Sequence, residues 1–322
     1  MRPRYGPVDS SQSPRFTGPR TFMRLPHLQT TDDVDVAIIG VPMDDAVSFR
    51  SGARFGPEAV RSASVLLRPY SPTLHVDVTE NLSMVDYGDA PTAPGYIEKS
   101  LNRITAFLEP VHRAGVTPLC IGGDHTMALA ELRAAAAVHG PLALVHLDAH
   151  ADVWDSYYGL EYFHGTVFRR AVEEGLVDPS RSVQAGMRGT LYAATDEDEP
   201  AKLGFEAIPW SELKTLSPLQ YGERVRSRVG DAKAFLSFDV DFVDPAFAPG
   251  TGTPEVGGPT SAEALGYLAA LTGIELCGFD CVELSPPYDP SGITAWLAAS
   301  VCHEMLALKV LATNSERGGA QL

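Results

Sequence analysis

The stretch VHLDAHADVWD, residues 145–155, places four ionisable side chains at every second position behind an apolar run. Alternate side chains of a strand point to the same face, so this spacing predicts a stack of charge on one side of a strand. Taking unpaired charge out of water costs several kcal/mol per ion. A bound metal ion would compensate that cost, with further ligands supplied from elsewhere in the chain. The four residues are His146, Asp148, His150 and Asp152.

Apolar runs alternate with helical stretches along most of the chain. This pattern predicts an α/β fold with three layers, in which a mostly parallel central sheet carries helices on both faces of a single domain. In open parallel sheets, ligands bind beyond the carboxyl ends of the strands. The predicted strands lie in residues 34–42, 117–125, 141–150, 182–189, 233–241 and 276–287. The predicted helices lie in residues 97–115, 127–140, 165–177, 261–273 and 293–312.

The composition is typical of a soluble globular enzyme. The 322 residues carry a formal net charge of −16, and 44% of them are hydrophobic. A chain this acidic is a poor partner for nucleic acid, whose binding depends on Lys and Arg, and its field favours a cationic substrate. We find no apolar stretch of about 18 or more residues, so we expect no membrane span.

Residues 1–33 are rich in Pro, Gly, Ser and Arg and are predicted to form an irregular N-terminal arm, with the catalytic domain in residues 34–322. The four cysteines form no CxxC pair, and three of them lie in apolar segments. Buried free thiols of this kind indicate a reducing compartment, so we expect a cytoplasmic protein.

Polar residues gather where four of the predicted strands end. Six groups, four of them carboxylates, exceed what one tetrahedral zinc ion needs, and they suit two divalent ions of the Mn, Fe, Co or Ni type. Two such ions roughly 3.5 Å apart share a water molecule and lower its pKa. His146 and Asp124 are expected to support this set rather than to bind metal. The candidate metal ligands are His125, Asp148, His150, Asp152, Asp239 and Asp241.

Six blocks of the sequence, in order, resemble the ureohydrolase family of arginases and agmatinases, between about residues 34 and 313. The resemblance is strongest to the branch of agmatinases, guanidinobutyrases and proclavaminate amidinohydrolases, which shares the GTGTPE and SPPYD segments. The blocks are GVPMDDAVSFRSGARFGPEAVR (40–61), GGDHT (122–126), HLDAHAD (146–152), HGTVFRRA (164–171), SFDVDFVDPAFAPGTGTPEVGG (237–258) and FDCVELSPPYD (279–289).

The resemblance implies an arginase-like fold and two divalent metal ions, Mn or Ni, that activate water to hydrolyse a guanidino or amidine C–N bond. Urea, or a urea derivative, and an amine are the expected products. The resemblance also implies a homotrimer or homohexamer, or an assembly of the same kind that includes a paralogous subunit. By residue, His125 and Asp152 would bind one ion, His150 and Asp241 the other, with Asp148 and Asp239 bridging.

Three residues are assigned catalytic roles by the same resemblance. Glu283 would grip the guanidinium through paired hydrogen bonds. Asp152 would accept the proton of the attacking water, and His164 would relay a proton to the leaving amine.

The sequence departs from its relatives at Trp154, where many of them carry Asn. Together with Tyr157 and Tyr158 it forms an aromatic loop between two expected site residues. An aromatic wall would shorten the pocket and favour a small cationic or N-alkylated guanidine through cation–π contact, such as guanidine, a methylated guanidine or a metformin-like biguanide. The same loop could instead be lid packing.

Other functions fit the same residues. Agmatinase or guanidinobutyrase activity is the alternative within the family, and hydrolysis of a formimino group would use the same dimetal platform. A non-catalytic partner subunit of a hetero-oligomer is the alternative of a different class. The presence of all six ligand types together with His164 and Glu283 favours a catalytic chain.

Overall fold

The structure is a computed structural model that describes residues 3–319, with side chains described to residue 313. Eight strands form one sheet in the order β4-β1-β5-β10-β9-β6-β7-β8, and every pair in it is parallel. A small antiparallel pair, β2 and β3, lies apart from it. The strands are β1 Val36–Val41, β2 Tyr70–Ser71, β3 Val76–Asp77, β4 Met84–Asp89, β5 Thr117–Gly122, β6 Ala143–Leu147, β7 Val183–Ala185, β8 Glu206–Ile208, β9 Ala234–Asp239 and β10 Leu276–Val282.

Helices cover both faces of the sheet. The sheet divides the core into two apolar clusters, one on each side. One cluster lies under α1, α8, α9 and α10, and the other under α3, α4 and α5. The helices are α1 Gly56–Ser64, α2 Val78–Asn81, α3 Ile97–Arg113, α4 Met127–His139, α5 Val167–Glu173, α6 Glu199–Leu203, α7 Trp210–Leu213, α8 Pro218–Val229, α9 Ser261–Ala269 and α10 Ile293–Gly319.

The predicted three-layer α/β class is confirmed, and each of the six predicted strands contains a strand of the sheet. The two edge strands, β4 and β8, were not predicted. Strand β8 has only three residues, and the sequence of β4, MVDYGD, mixes apolar residues with two aspartates. Edge strands face fewer neighbours, so their sequences carry a weaker apolar signal.

The alternating stretch of the sequence is not a single strand, which corrects the first prediction. Strand β6 ends at Leu147, so His146 lies on the strand but Asp148, His150 and Asp152 follow it. The amide of His150 donates to Asp148 Oδ1 at 2.6 Å, a local bond that turns the chain away from the sheet. The ligands are therefore gathered by a loop rather than by the pleat.

The N-terminal segment packs onto the same chain. Phe22 is fully buried and its amide donates to Asp86 Oδ2 at 2.8 Å, while Tyr5 O accepts from the amide of Met84.

Near the other end of the chain, Ile293–Thr313 is long and apolar enough to span a membrane by length and composition, with a mean hydropathy of 1.4. This corrects the expectation that no such stretch exists. Because 67% of its apolar window is buried, it has the character of a core helix.

A histidine of α3 should make folding stability depend on pH. His112 is buried, and its Nδ1 has no hydrogen-bond partner among the described residues. Burial, assisted by His139, lowers the pKa of His112 to about 4. The unfolded chain binds this proton near pH 6.5, so the free energy of unfolding should fall as the pH falls from about 6.5 towards 4. Urea unfolding at pH 7 and pH 5 should show that the free energy of unfolding falls less between these two pH values in His112→Gln than in the wild type. An identical loss in both proteins would contradict the assignment.

Candidate metal centre and active site

The four strand ends that the sequence singled out belong to neighbouring strands. Strands β5, β10, β9 and β6 are adjacent in the sheet and parallel, so their carboxyl ends meet at one edge. The first of them ends in a tight turn at Gly123, with φ of 38°. A Cβ there would collide with the carbonyl oxygens of Val41 and Met43, so only glycine lets β5 deliver His125 to this edge.

His125 stands at the centre of one half of the site. Its Nδ1 lies 3.2 Å from Asp148 Oδ2, 3.0 Å from Asp152 Oδ2 and 3.4 Å from Asp239 Oδ2. The imidazole is fully buried, and Nδ1 makes no hydrogen bond within the described residues. One lone pair thus faces three carboxylate oxygens with no donor between them, an arrangement suited to a cation.

His150 stands in the other half of the site. Its Nδ1 lies 3.4 Å from Asp148 Oδ1 and 3.1 Å from Asp241 Oδ2, so the carboxylate of Asp148 reaches both halves. His150 is partly exposed, and its Nε2 lies 4.0 Å from Glu255 Oε1. Asp239 holds the two halves together, since its Oδ1 accepts from the amide of Asp241 at 2.8 Å.

His146 supports this set from behind. Its Nδ1 accepts from the side-chain amide of Gln184 at 3.0 Å, so its Nε2 carries the proton and donates to Asp148 Oδ2 at 2.8 Å. A nitrogen that donates a proton cannot also bind a metal ion. Burial works against ionisation of Asp148, but His146 beside it holds the pKa of that carboxyl well below its usual range.

The donor set fits divalent cations. Two groups of side chains bring nitrogen and carboxylate oxygen atoms close together: His125, His146 and Asp148 in one, and Asp148, His150 and Asp241 in the other. In the first group His146 donates to Asp148 and leaves the ion to the other residues. Burial and the neighbouring carboxylates raise the pKa of Asp239 well above its usual range. Burial, with Asp148 adding and His150 opposing, raises the pKa of Asp241 to about 7. Carboxylates crowded to this extent need a positive charge among them to stay ionised.

Glu283 lies directly after β10 with its carboxylate buried over the site. Its Oε1 accepts from the amide of His125 at 2.9 Å and from His164 Nδ1 at 3.1 Å. Its Oε2 is buried and has no hydrogen-bond partner among the described residues. Glu283 adopts a left-handed backbone with φ of 63°, which is uncommon for a residue with a side chain and typical of functional positions.

His164 is nearly buried between two hydrogen-bonding groups. Its Nδ1 faces Glu283, and its Nε2 accepts from the amide of Ser48 at 3.1 Å and lies 2.8 Å from the hydroxyl of Ser48. Burial alone would lower the pKa of His164, but the hydrogen bond and charge of Glu283 raise it. The structure therefore brings His164 and Glu283 into direct contact, 119 residues apart in sequence.

The aromatic loop forms a cluster beside His164. A Cβ at Gly165 would lie 3.2 Å from Trp154 Cδ1 and 3.3 Å from Tyr157 Cε2, so both rings pack against the backbone next to His164. Tyr157 stacks on Phe163 with ring centroids 5.4 Å apart. Tyr158 contacts Tyr157 but is 76% exposed.

Tyr192, from a different loop, completes this cluster. Its ring lies 5.6 Å from that of Trp154, and burial together with the hydroxyl of Tyr192 raises the pKa of Tyr157 to about 12. This contact could not be predicted from the sequence, because Tyr192 belongs to no motif. Three further residues contact the site but were not predicted to do so, although they lie within the family motifs. Ser48 follows DDAV, Ser237 precedes Asp239 by two positions, and Glu255 ends GTGTPE.

Comparisons with known proteins agree with this geometry. The model of the arginase family matches residues 34–307. The guanidinobutyrase of Pseudomonas aeruginosa is 43% identical over 94% of this chain and 96% of its own length, and the guanidinopropionase of the same organism is 44% identical over 94% and 95%. The solved structure of proclavaminate amidinohydrolase from Streptomyces clavuligerus superposes with a TM-score of 0.89 at 40% identity, covering 93% of this chain and 100% of that one. The family and branch expected from the sequence are confirmed.

Metal counting tests the two halves separately. Protein loaded with Mn²⁺ and passed through gel filtration should retain two ions per chain by plasma mass spectrometry. His150→Ala should retain about one, because the second half loses its imidazole ligand. His146→Gln should retain about two, because His146 donates to Asp148 and offers no lone pair to metal. A loss of one ion in His146→Gln with two kept in His150→Ala would reverse the assignment.

Proposed function

We propose a substrate class and residue roles for this chain, which belongs to the arginase family, whose members hydrolyse amidino and guanidino C–N bonds. The substrate is a small cationic or N-alkylated guanidine: guanidine itself, a methylated guanidine or a metformin-like biguanide. The observation that carries this proposal is the aromatic cluster of Trp154, Tyr157, Phe163 and Tyr192 beside a site lined by carboxylates.

In the proposed reaction Glu283 holds the guanidinium. Its Oε1 is fixed by two donors, and the buried Oε2 keeps its lone pairs for substrate N–H groups. A carboxylate accepts planar N–H pairs in this way with charge-assisted hydrogen bonds. Gly252 lies next to this oxygen, since a Cβ at that position would lie 3.4 Å from Glu283 Oε2. A glycine there leaves room beside the oxygen that would meet the substrate.

Two further residues move protons. Asp152, 3.0 Å from His125 Nδ1 and held at φ of 52°, would accept the proton of the attacking water. His164 would give its Nδ1 proton to the leaving nitrogen, beside the carboxylate that holds the guanidinium, while its Nε2 takes a proton from the hydroxyl of Ser48, 2.8 Å away. Solvent would return the proton to Ser48, which is partly exposed. Two divalent ions, held by His125, Asp148, His150, Asp152, Asp239 and Asp241, would supply a nucleophilic water at neutral pH.

The charges around the mouth support a cationic substrate. Glu255 stands beside His150 with its side chain 29% exposed, so it adds an anion at the outer side of the site. The guanidinium of Arg188, nearby, donates hydrogen bonds to the backbone carbonyls of Asp241, Phe242 and Glu255. Aromatic faces next to such an acidic pocket attract a cation by about 0.5–2 kcal/mol per contact.

A second candidate substrate has support from the relatives. Two of them are named guanidinobutyrase and guanidinopropionase, whose names denote guanidino acids, and others are named agmatinase. Hydrolysis of guanidinobutyrate or agmatine is therefore the alternative within the family. A non-catalytic partner subunit is less well supported, since all the proposed ligands and both Glu283 and His164 lie together here.

We also propose Mn or Ni as the metal, a trimeric or hexameric assembly and a cytoplasmic location. Mixed imidazole and carboxylate ligands suit either metal. Trp296 and Ile293, exposed at the start of α10, offer apolar surface to a neighbouring subunit. The four cysteines are buried and free, as in a reducing compartment. We place the catalytic domain in residues 34–322 after an arm of residues 1–33, in line with a family match that begins at residue 34.

Substrate choice should depend on Trp154. Initial rates of urea or guanylurea release should be highest on guanidine, methylguanidine, dimethylguanidine or metformin, and at least about tenfold lower on guanidinobutyrate and arginine. Trp154→Asn should lower the ratio of the rate on the small guanidines to the rate on guanidinobutyrate by about tenfold. The substitution removes an aromatic face and adds an amide that can bind a carboxylate. The exposed Tyr70→Asn is the control, because Tyr70 lies on β2, outside the sheet that carries the site, and this variant should leave the ratio unchanged. Highest rates on guanidinobutyrate or agmatine in the wild type would overturn the aromatic-wall proposal.

The two roles assigned around Glu283 should separate in kinetics. Glu283→Gln should lower kcat/KM by about 10²–10³-fold, because a buried charge pair with the substrate is lost. His164→Asn should lower kcat by about 10²–10⁴-fold with little change in KM, because proton transfer rather than binding is impaired. A large rise in KM with unchanged kcat in His164→Asn would contradict the proton-transfer role.

A further inference from the structure

A line of hydrogen bonds runs from His125 into the core, away from the proposed metal centre. The Nε2 of His125 lies 2.8 Å from the hydroxyl of Ser237, which donates to Asp280 Oδ1 at 2.7 Å. All three side chains are fully buried. Ser237 lies on β9 and Asp280 on the neighbouring strand β10, so the line is built into the centre of the sheet.

The direction of each proton in this line follows from a backbone amide. The amide of Phe238 donates to Asp280 Oδ1 at 3.2 Å, so that oxygen is an acceptor. The single hydroxyl proton of Ser237 therefore points to Asp280, and the lone pairs of its Oγ face His125. Because the Ser237 oxygen can only accept a hydrogen bond from His125, Nε2 of His125 must carry the imidazole proton. The lone pair of the neutral ring is then at Nδ1.

We propose that Ser237 and Asp280 are positioning residues that fix the tautomer and ring orientation of His125, directing its Nδ1 lone pair to the ion shared with Asp148, Asp152 and Asp239. This inference rests on the proposed metal centre and adds two residues to it. Neither residue touches the reacting atoms. Partners of this kind behind a histidine ligand typically affect metal affinity by about 10–100-fold.

The other histidine ligand is held differently, which provides an internal comparison. Among the described residues, the Nε2 of His150 has a single charged neighbour, Glu255, at 4.0 Å, and the side chain of His150 is 32% exposed. No buried line of hydrogen bonds like that behind His125 holds His150 in the described part of the chain. Loss of Ser237 or Asp280 should therefore weaken metal binding in the half that contains His125 and spare the half that contains His150.

The test is calorimetric titration of the metal-free full chain with Mn²⁺, which needs no substrate. Ser237→Ala and Asp280→Ala, which remove the hydroxyl and its acceptor, should each weaken one of the two sites by about 10–100-fold and leave the other within about threefold. Ser237→Thr keeps a hydroxyl and should restore the affinity. Ser182→Ala is the matched control, because Ser182 is also fully buried and its hydroxyl makes two hydrogen bonds, but to Asp178 O and the amide of Leu144.

Several results would overturn the proposal. Unchanged affinity at both sites in Ser237→Ala and Asp280→Ala would show that His125 needs no such support. Equal weakening of both sites, or the same weakening in Ser182→Ala, would indicate a general loosening of the sheet. Wild-type protein that binds no Mn²⁺ would remove the metal centre and the positioning role together. Two bound ions without turnover of any guanidine would overturn the proposed function alone, and the positioning role would stand.

Discussion

The repulsion among buried carboxylates at one edge of the sheet is the constraint on which this structure depends. Asp148, Asp152, Asp239 and Asp241 converge within a few ångströms of two imidazoles, and all four carboxylates are buried. Such a cluster is unfavourable unless positive charge sits inside it. The carboxyl ends of adjacent parallel strands can gather these groups without distorting the core below them.

Backbone geometry around the edge serves the same end. Asp152 and Glu283 both adopt left-handed conformations, Asp152 in the loop after β6 and Glu283 directly after β10. Positive φ at residues with side chains costs free energy, so the packing around them must hold these conformations in place. The local strain and the crowded charge occur at the same few residues.

The sequence predicted the central part of the molecule better than its edges. Strong apolar runs identified six strands, four of which end at the metal site, and the family motifs identified its ligands. Two kinds of feature could not be read from it. The stretch 145–155 alternates as a strand would, yet β6 ends at Leu147, because an Asx-type bond at Asp148 competes with the sheet ladder. Contacts between distant segments, such as Ser48 with His164 and Tyr192 with Trp154, depend on loop paths that carry no periodic signal.

Two ions should neutralise this carboxylate cluster, one beside His125 and one beside His150. Anomalous diffraction from crystals of the Mn²⁺-loaded protein, recorded near the manganese edge, would locate them. We expect two peaks, one within coordination distance of His125 Nδ1 and the other of His150 Nδ1, with Asp148 between them. A single peak, or a peak bound by His146 Nε2, would contradict this expectation.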